Sequence, residues 1–87
     1  MKVDGNLISG QFDEQTNEFT LQQVKDLETE TRLNEQQCNT LAKYLNQHKD
    51  DTEGQVLTLY DQLLVRLNQK EMNEFVTDLE KIQSFYH

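Results

Sequence analysis

The stretch TEGQVLTLYDQLLVRLNQKEMNEFVTDLEKIQSFYH, residues 52–87, decides how the chain is read. Val56, Tyr60, Leu63 and Leu67 recur at helical spacing, and so do Met72, Phe75, Val76, Leu79, Ile82 and Tyr86. At ~100° per residue the second set points about a quarter turn away from the first, so one straight helix cannot aim both at a single core. A break near Asn68 resolves the conflict. Asn68 can cap a new helix with Glu71 three residues on, and Leu67 and Met72 fall at the two positions of a hydrophobic staple.

Working outward, the same reading extends upstream. Thr52 with Gln55 has the pattern of a capping box. The segment after it is the most apolar in the chain, through Val56, Leu57, Leu59, Tyr60, Leu63, Leu64, Val65 and Leu67. Its apolar arc spans nearly half a circumference, as suits a central helix covered on two sides. Asn34 with Gln37 repeats the capping pattern, with Leu33 and Cys38 as a staple. Cys38, Leu41, Ala42 and Leu45 then follow at i, i+3, i+4 and i+7. Thr20 with Gln23 is a further capping pattern, leading into a thin stripe of Leu21, Val24 and Leu27. Residues 20–48 read equally well as one helix or two.

Residues 1–19 differ. Leu7, Ile8 and Phe12 lack helical spacing, Gly5 and Gly10 punctuate them, and 13–17 is a polar turn-forming run. This segment is expected to be a polar arm, or a short hairpin pairing the region of Leu7–Phe12 with Glu18–Leu21. An isolated hairpin is marginally stable in water. The expected fold is therefore all-α: a small antiparallel three- or four-helix bundle with helices near 20–48, 52–67 and 69–86, carrying a polar N-terminal arm.

Composition agrees with a single small domain. Of 87 residues, 34% are hydrophobic and none is Pro, while eleven are Gln and seven Asn. Long runs without Gly or Pro favour helix. A chain this short has room for one modest core and none for a deep catalytic cleft. The net charge of −8 disfavours direct nucleic-acid binding and anionic membrane surfaces, both of which call for clustered Lys and Arg. The lone Cys38 makes neither a disulfide framework nor a zinc site. No apolar run approaches a membrane span or a signal peptide, so a cytoplasmic setting is expected.

Catalytic patterns are weak. His48 and His87 have no positioned nucleophile, and Cys38 lies on an apolar stripe, where a free Cys behaves as a small hydrophobe. His48, Asp50, Asp51 and Glu53 are ligand types whose spacing matches neither a zinc pattern nor a calcium loop. Neither a metal nor a cofactor is expected. Glu71, Glu74 and Asp78, at i, i+3 and i+7, read as one exposed acidic strip on the last helix. Leu57, Leu64 and Val65 fall at the edge of the central helix's stripe, and Phe85 off the line of the last.

No stretch carries a family signature. The expected function is that of a non-catalytic protein–protein interaction module: an adaptor, inhibitor or assembly factor. Leu57, Leu64 and Phe85 are its expected apolar anchors, and Glu71, Glu74 and Asp78 a charged rim facing a basic partner surface. One alternative is a nucleic-acid mimic blocking a basic DNA- or RNA-binding protein. Another is a structural homo-oligomer, with the apolar surplus consumed in a dimer seam. An enzyme or metal-dependent regulator would need His48, Asp50, Asp51 or Cys38 to meet in space.

Overall fold

The computed structural model of the chain describes residues 1–59 and 62–87. Its elements run β1 (Lys2–Asp4), β2 (Ile8–Asp13), β3 (Glu18–Val24), β4 (Leu27–Leu33), α1 (Glu35–His48), β5 (Gln55–Thr58), β6 (Leu64–Leu67) and α2 (Gln69–Gln83). The first four strands form one antiparallel meander in the order β1-β2-β3-β4, and β5 pairs with β6 in a separate hairpin. The all-α bundle is thus corrected to a mixed fold, with six strands in two antiparallel sheets and two helices among the described residues.

Residues 1–19 are not an arm: they supply β1, β2 and the start of β3. The pairing of Leu7–Phe12 with Glu18–Leu21 lies within the β2–β3 ladder, where Phe12 faces Phe19 and Asp13 faces Glu18. What makes this hairpin stable is burial that an isolated one lacks. Phe12 and Phe19 are shut away from water, each worth ~1.5–3 kcal/mol, and two more strands flank the pair. The turn is set locally. The Asp13 carboxylate accepts from the N–H groups of Gln15 and Thr16 at 2.9 and 3.3 Å, and Asn17 closes the reversal at φ 56°, a conformation Asn tolerates.

The expected helix over 20–48 is a strand pair followed by a shorter helix. Leu21, Val24 and Leu27 owe their three-residue spacing to two interruptions of a period-2 pattern. A bulge lies between Leu21 and Gln23, and the β3–β4 turn is only Lys25 and Asp26. Along β4 the inward Thr31 and Leu33 then alternate with exposed Glu28, Glu30 and Arg32. The helix begins after Asn34, whose side chain accepts from Gln37 N–H at 2.8 Å while the Gln37 side chain accepts from Asn34 N–H at 2.9 Å.

The expected central helix over 52–67 is likewise the β5–β6 hairpin. Leu57, Leu59, Val65 and Leu67 turn inward, and Val56, Thr58, Leu64 and Arg66 turn outward. Tyr60, counted in the helical stripe, lies outside the described residues. The break at Asn68 is where α2 starts, with Asn68 and Glu71 exchanging reciprocal capping bonds at 2.8 and 2.9 Å. Met72, Phe75, Val76, Leu79 and Ile82 bury one face of α2. They join Cys38, Ala42 and Leu45 of α1 and the inner faces of both sheets in one core. No helix is long and apolar enough to cross a membrane among the described residues.

Candidate protein-docking site

Exposed apolar surface concentrates where α1 meets β5. A groove of about 400 Å³ opens there, lined by Leu33 from the end of β4, Leu41 and Tyr44 from α1, and Val56, Leu57 and Leu59 from β5. Its lining carries no charged side chain among the described residues. Val56 is 49% exposed and Tyr44 36%. On the outer face of the same hairpin Leu64 is 62% exposed, diagonal to Val56 in the ladder. The other hollows are lined mainly by polar or charged groups, as around Lys25, Glu53, Arg66 and Glu71.

A polar network fixes the mouth of the groove. The Tyr44 hydroxyl donates to Gln55 Oε1 at 3.2 Å, and Gln55 Nε2 donates to Asp51 Oδ2 at 2.7 Å. His48 Nδ1 lies 3.1 Å from the same carboxylate oxygen, and its ring packs on Tyr44 with centroids 4.7 Å apart. His48 and Gln55 together hold the Asp51 carboxyl below its ordinary pKa. The network ties the last turn of α1 to the first residue of β5, which sets the width of the groove between them.

The backbone of β5 is also available. Leu59 N–H donates to Leu63 C=O at 2.9 Å, which marks that pair as hydrogen-bonded. With alternation along an antiparallel ladder, Leu57 opposite Val65 and Gln55 opposite Leu67 are the bonded pairs, and the N–H and C=O groups of Val56 and Thr58 point away from β6. The opposite edge of the hairpin confirms this phase. The carbonyl of Arg66, which faces Val56 across the ladder, points outward and accepts from Lys25 Nζ at 3.0 Å. No described residue bonds the outward groups of Val56 and Thr58.

The six residues singled out in the sequence are not brought together. Leu57 lines the groove but is buried, Leu64 lies on the outer face of the hairpin, and Phe85 is half-buried against the Phe12 ring, 5.8 Å away between centroids. The acidic strip is not one exposed row. Asp78 is buried, and its carboxylate accepts from the backbone N–H groups of Asn6, Leu7 and Ile8 at 2.8, 2.7 and 3.2 Å. It clamps α2 to the β1–β2 turn, and a Cβ on Gly5 would fall on that carboxyl. Glu71 is half-buried between its capping bond and Lys25 Nζ, 2.9 Å from Oε2. Glu74 is half-buried on α2. Of the exposed apolar members of the groove, Tyr44 escaped the sequence reading, and Val56 was placed there on a core-facing helical stripe. The available signal was an aromatic off the Cys38–Leu45 stripe.

Titration of Glu71 gives a check on this placement. The Asn68 N–H and then Lys25 hold its carboxyl below the ordinary value. A depressed folded pKa contributes stability above the unfolded value of ~4.3 and loses it as pH falls through the folded one. Urea midpoints measured down a pH series are expected to fall on the acid side less steeply for Glu71→Gln than for the parent chain. Parallel curves would show that Glu71 is not held this way.

Of the residues that an enzyme or metal-dependent regulator would need to meet in space, His48 and Asp51 do, 3.1 Å apart. Burial pushes the Cys38 thiol up to about 11, opposite to what a nucleophile needs. Among the described residues, no group of three or more His, Cys, Asp or Glu could hold a metal ion. No protein-family model, curated protein or solved structure matches the chain.

Proposed function

We propose that this chain is a non-catalytic protein–protein interaction module, acting as an adaptor, inhibitor or assembly factor by docking another protein at the α1–β5 groove. The observation that carries the reading is the uncharged groove itself. In a chain of net charge −8, Tyr44, Val56, Leu41 and Leu33 form an apolar hollow beside an unpaired strand edge. Its volume lies within the ~300–1,000 Å³ of hollows that accept a small ligand or a few side chains. A cytoplasmic setting is part of the same proposal. The nucleic-acid-mimic alternative has less support, because Asp78 and Glu71 spend their carboxylates inside the fold.

The test is affinity capture with the parent chain, with Tyr44→Asp and with Val56→Asp, alongside solution mass by light scattering. Both side chains are exposed enough to accept a charge without unfolding. A protein retained by the parent and lost from both variants is the expected result. Identical capture by all three chains would place the contact elsewhere, and a parent dimer dissociated by both substitutions would favour the homo-oligomer.

A further inference from the structure

Resting on that docking reading, we infer that the partner binds by strand addition: an extended, apolar-alternating segment with Lys or Arg at its C-terminal flank pairs antiparallel with the free edge of β5.

The edges of the two sheets are not equivalent. β1 carries Lys2 and Asp4, and β4 carries Glu28, Glu30 and Arg32, the charged residues that keep an edge strand from pairing with another chain. The outer edge of β6 is occupied at Arg66 by the Lys25 ammonium. β5, Gln55-Val56-Leu57-Thr58, carries no charged side chain, and among the described residues no strand but β6 pairs with it. Its outward N–H and C=O groups at Val56 and Thr58 offer four hydrogen-bonding sites two residues apart, the spacing at which an added strand bonds. Alternate side chains of that strand would enter the groove against Leu41 and Tyr44.

Charge selects the occupant. The connection leading into β5 carries Asp50, Asp51 and Glu53 against Lys49, and Asp50 and Glu53 are exposed. A strand antiparallel to β5 brings its C-terminal flank beside these carboxylates, so cations there are attracted. A second copy of this chain is disfavoured by the same groups, since each copy brings −8. A four-residue edge also offers little of the ~1,200–2,000 Å² that a stable interface buries.

The experiment pans a displayed library of random peptides of about twelve residues on the full chain at low and high salt, then measures binding of the synthesised winners. Winners are expected to alternate apolar residues ahead of Lys or Arg and to weaken with salt. They should slow amide hydrogen exchange at Val56 and Thr58. Thr58→Pro, which removes one outward N–H, and Val56→Lys, which charges the edge, are each expected to weaken binding roughly tenfold or more, the scale of one lost bond. Retained amide spectra of both variants show that they still fold. Acidic or patternless winners, or exchange unchanged at Val56 and Thr58, overturn strand addition. If those winners still need Tyr44, docking at the groove survives while the strand mode falls. Winners indifferent to Tyr44, Val56 and Thr58 overturn both readings, as does an empty selection. A parent chain that dimerises through β5, shown by monomer mass for Thr58→Pro, would make the occupant a second copy and overturn the basic segment.

Discussion

Asp78→Ala is expected to lower the unfolding free energy by ~3–5 kcal/mol. Asp78 is 4% exposed, and its carboxylate accepts three backbone N–H groups from consecutive residues, Asn6, Leu7 and Ile8. A hydrogen bond to a charged group is worth ~1.5–3 kcal/mol, and the three are not additive because they share one acceptor. The N–H groups left behind lie in the β1–β2 turn, and that of Ile8 is buried, so part of the loss is their unmet desolvation. A domain of this length has only about 4–13 kcal/mol in total, at ~0.05–0.15 per residue. The variant is therefore brought near the folding threshold, with a Tm lower by at least ~12 °C at ~4 °C per kcal/mol. Asp78→Asn keeps the size but turns one oxygen into a donor facing other donors, and should fall between. Urea melts of the three proteins decide the matter. An Asp78→Ala chain within ~1 kcal/mol of the parent would mean that the clamp contributes little to stability.

The same residue shows where the sequence stops being legible. On the α2 periodicity, Asp78 sits beside Glu71 and Glu74 as a third solvated acid. Only the meeting of α2 with a turn more than seventy positions earlier gives it a role, and no local pattern records that meeting. What could be read was local chemistry. The reciprocal side-chain bonds of Asn34 with Gln37 and of Asn68 with Glu71 involve residues three apart, and both helices start where those pairs stand. The same spacing at Thr20 and Thr52 stood before residues that pair across strands instead. Thr20 faces Arg32 inside the meander, and Gln55 faces Leu67 in the hairpin. Capping chemistry permits a helix but does not compel one when β-branched and apolar residues find partners on a neighbouring strand. The helical stripe through Val56, Leu63 and Leu67 mixes an outward residue with inward ones, which a period of two across a tight reversal produces by coincidence. The candidate groove was half legible: Leu57 was picked out as surplus apolar surface, but its position on an open edge is a property of the pairing.

Gly10→Ala offers a test whose outcome separates the two architectures. In a mobile arm the substitution would be close to neutral, because alanine restricts the folded and unfolded chains alike. In the meander, Gly10 lies opposite Leu21 beside a register shift. A Cβ there would fall on the Thr20 carbonyl oxygen and lie 2.7 Å from Phe19 Cζ. The Phe19 ring is fully buried and the carbonyl belongs to the sheet backbone, so neither can yield without moving the core. Overpacking of this kind costs ~1–3 kcal/mol and sometimes more. With two stiff neighbours, a loss of about 3 kcal/mol is expected, offset by less than ~1 kcal/mol from replacing Gly within a strand. The exposed neighbour Gln11→Ala should stay within ~0.5 kcal/mol of the parent. A lowered urea midpoint for Gly10→Ala at unchanged slope, with Gln11→Ala unmoved, would place the cost at the close approach of β2 and β3. An unchanged midpoint for Gly10→Ala would instead mean that residues 1–19 are free of the sheet.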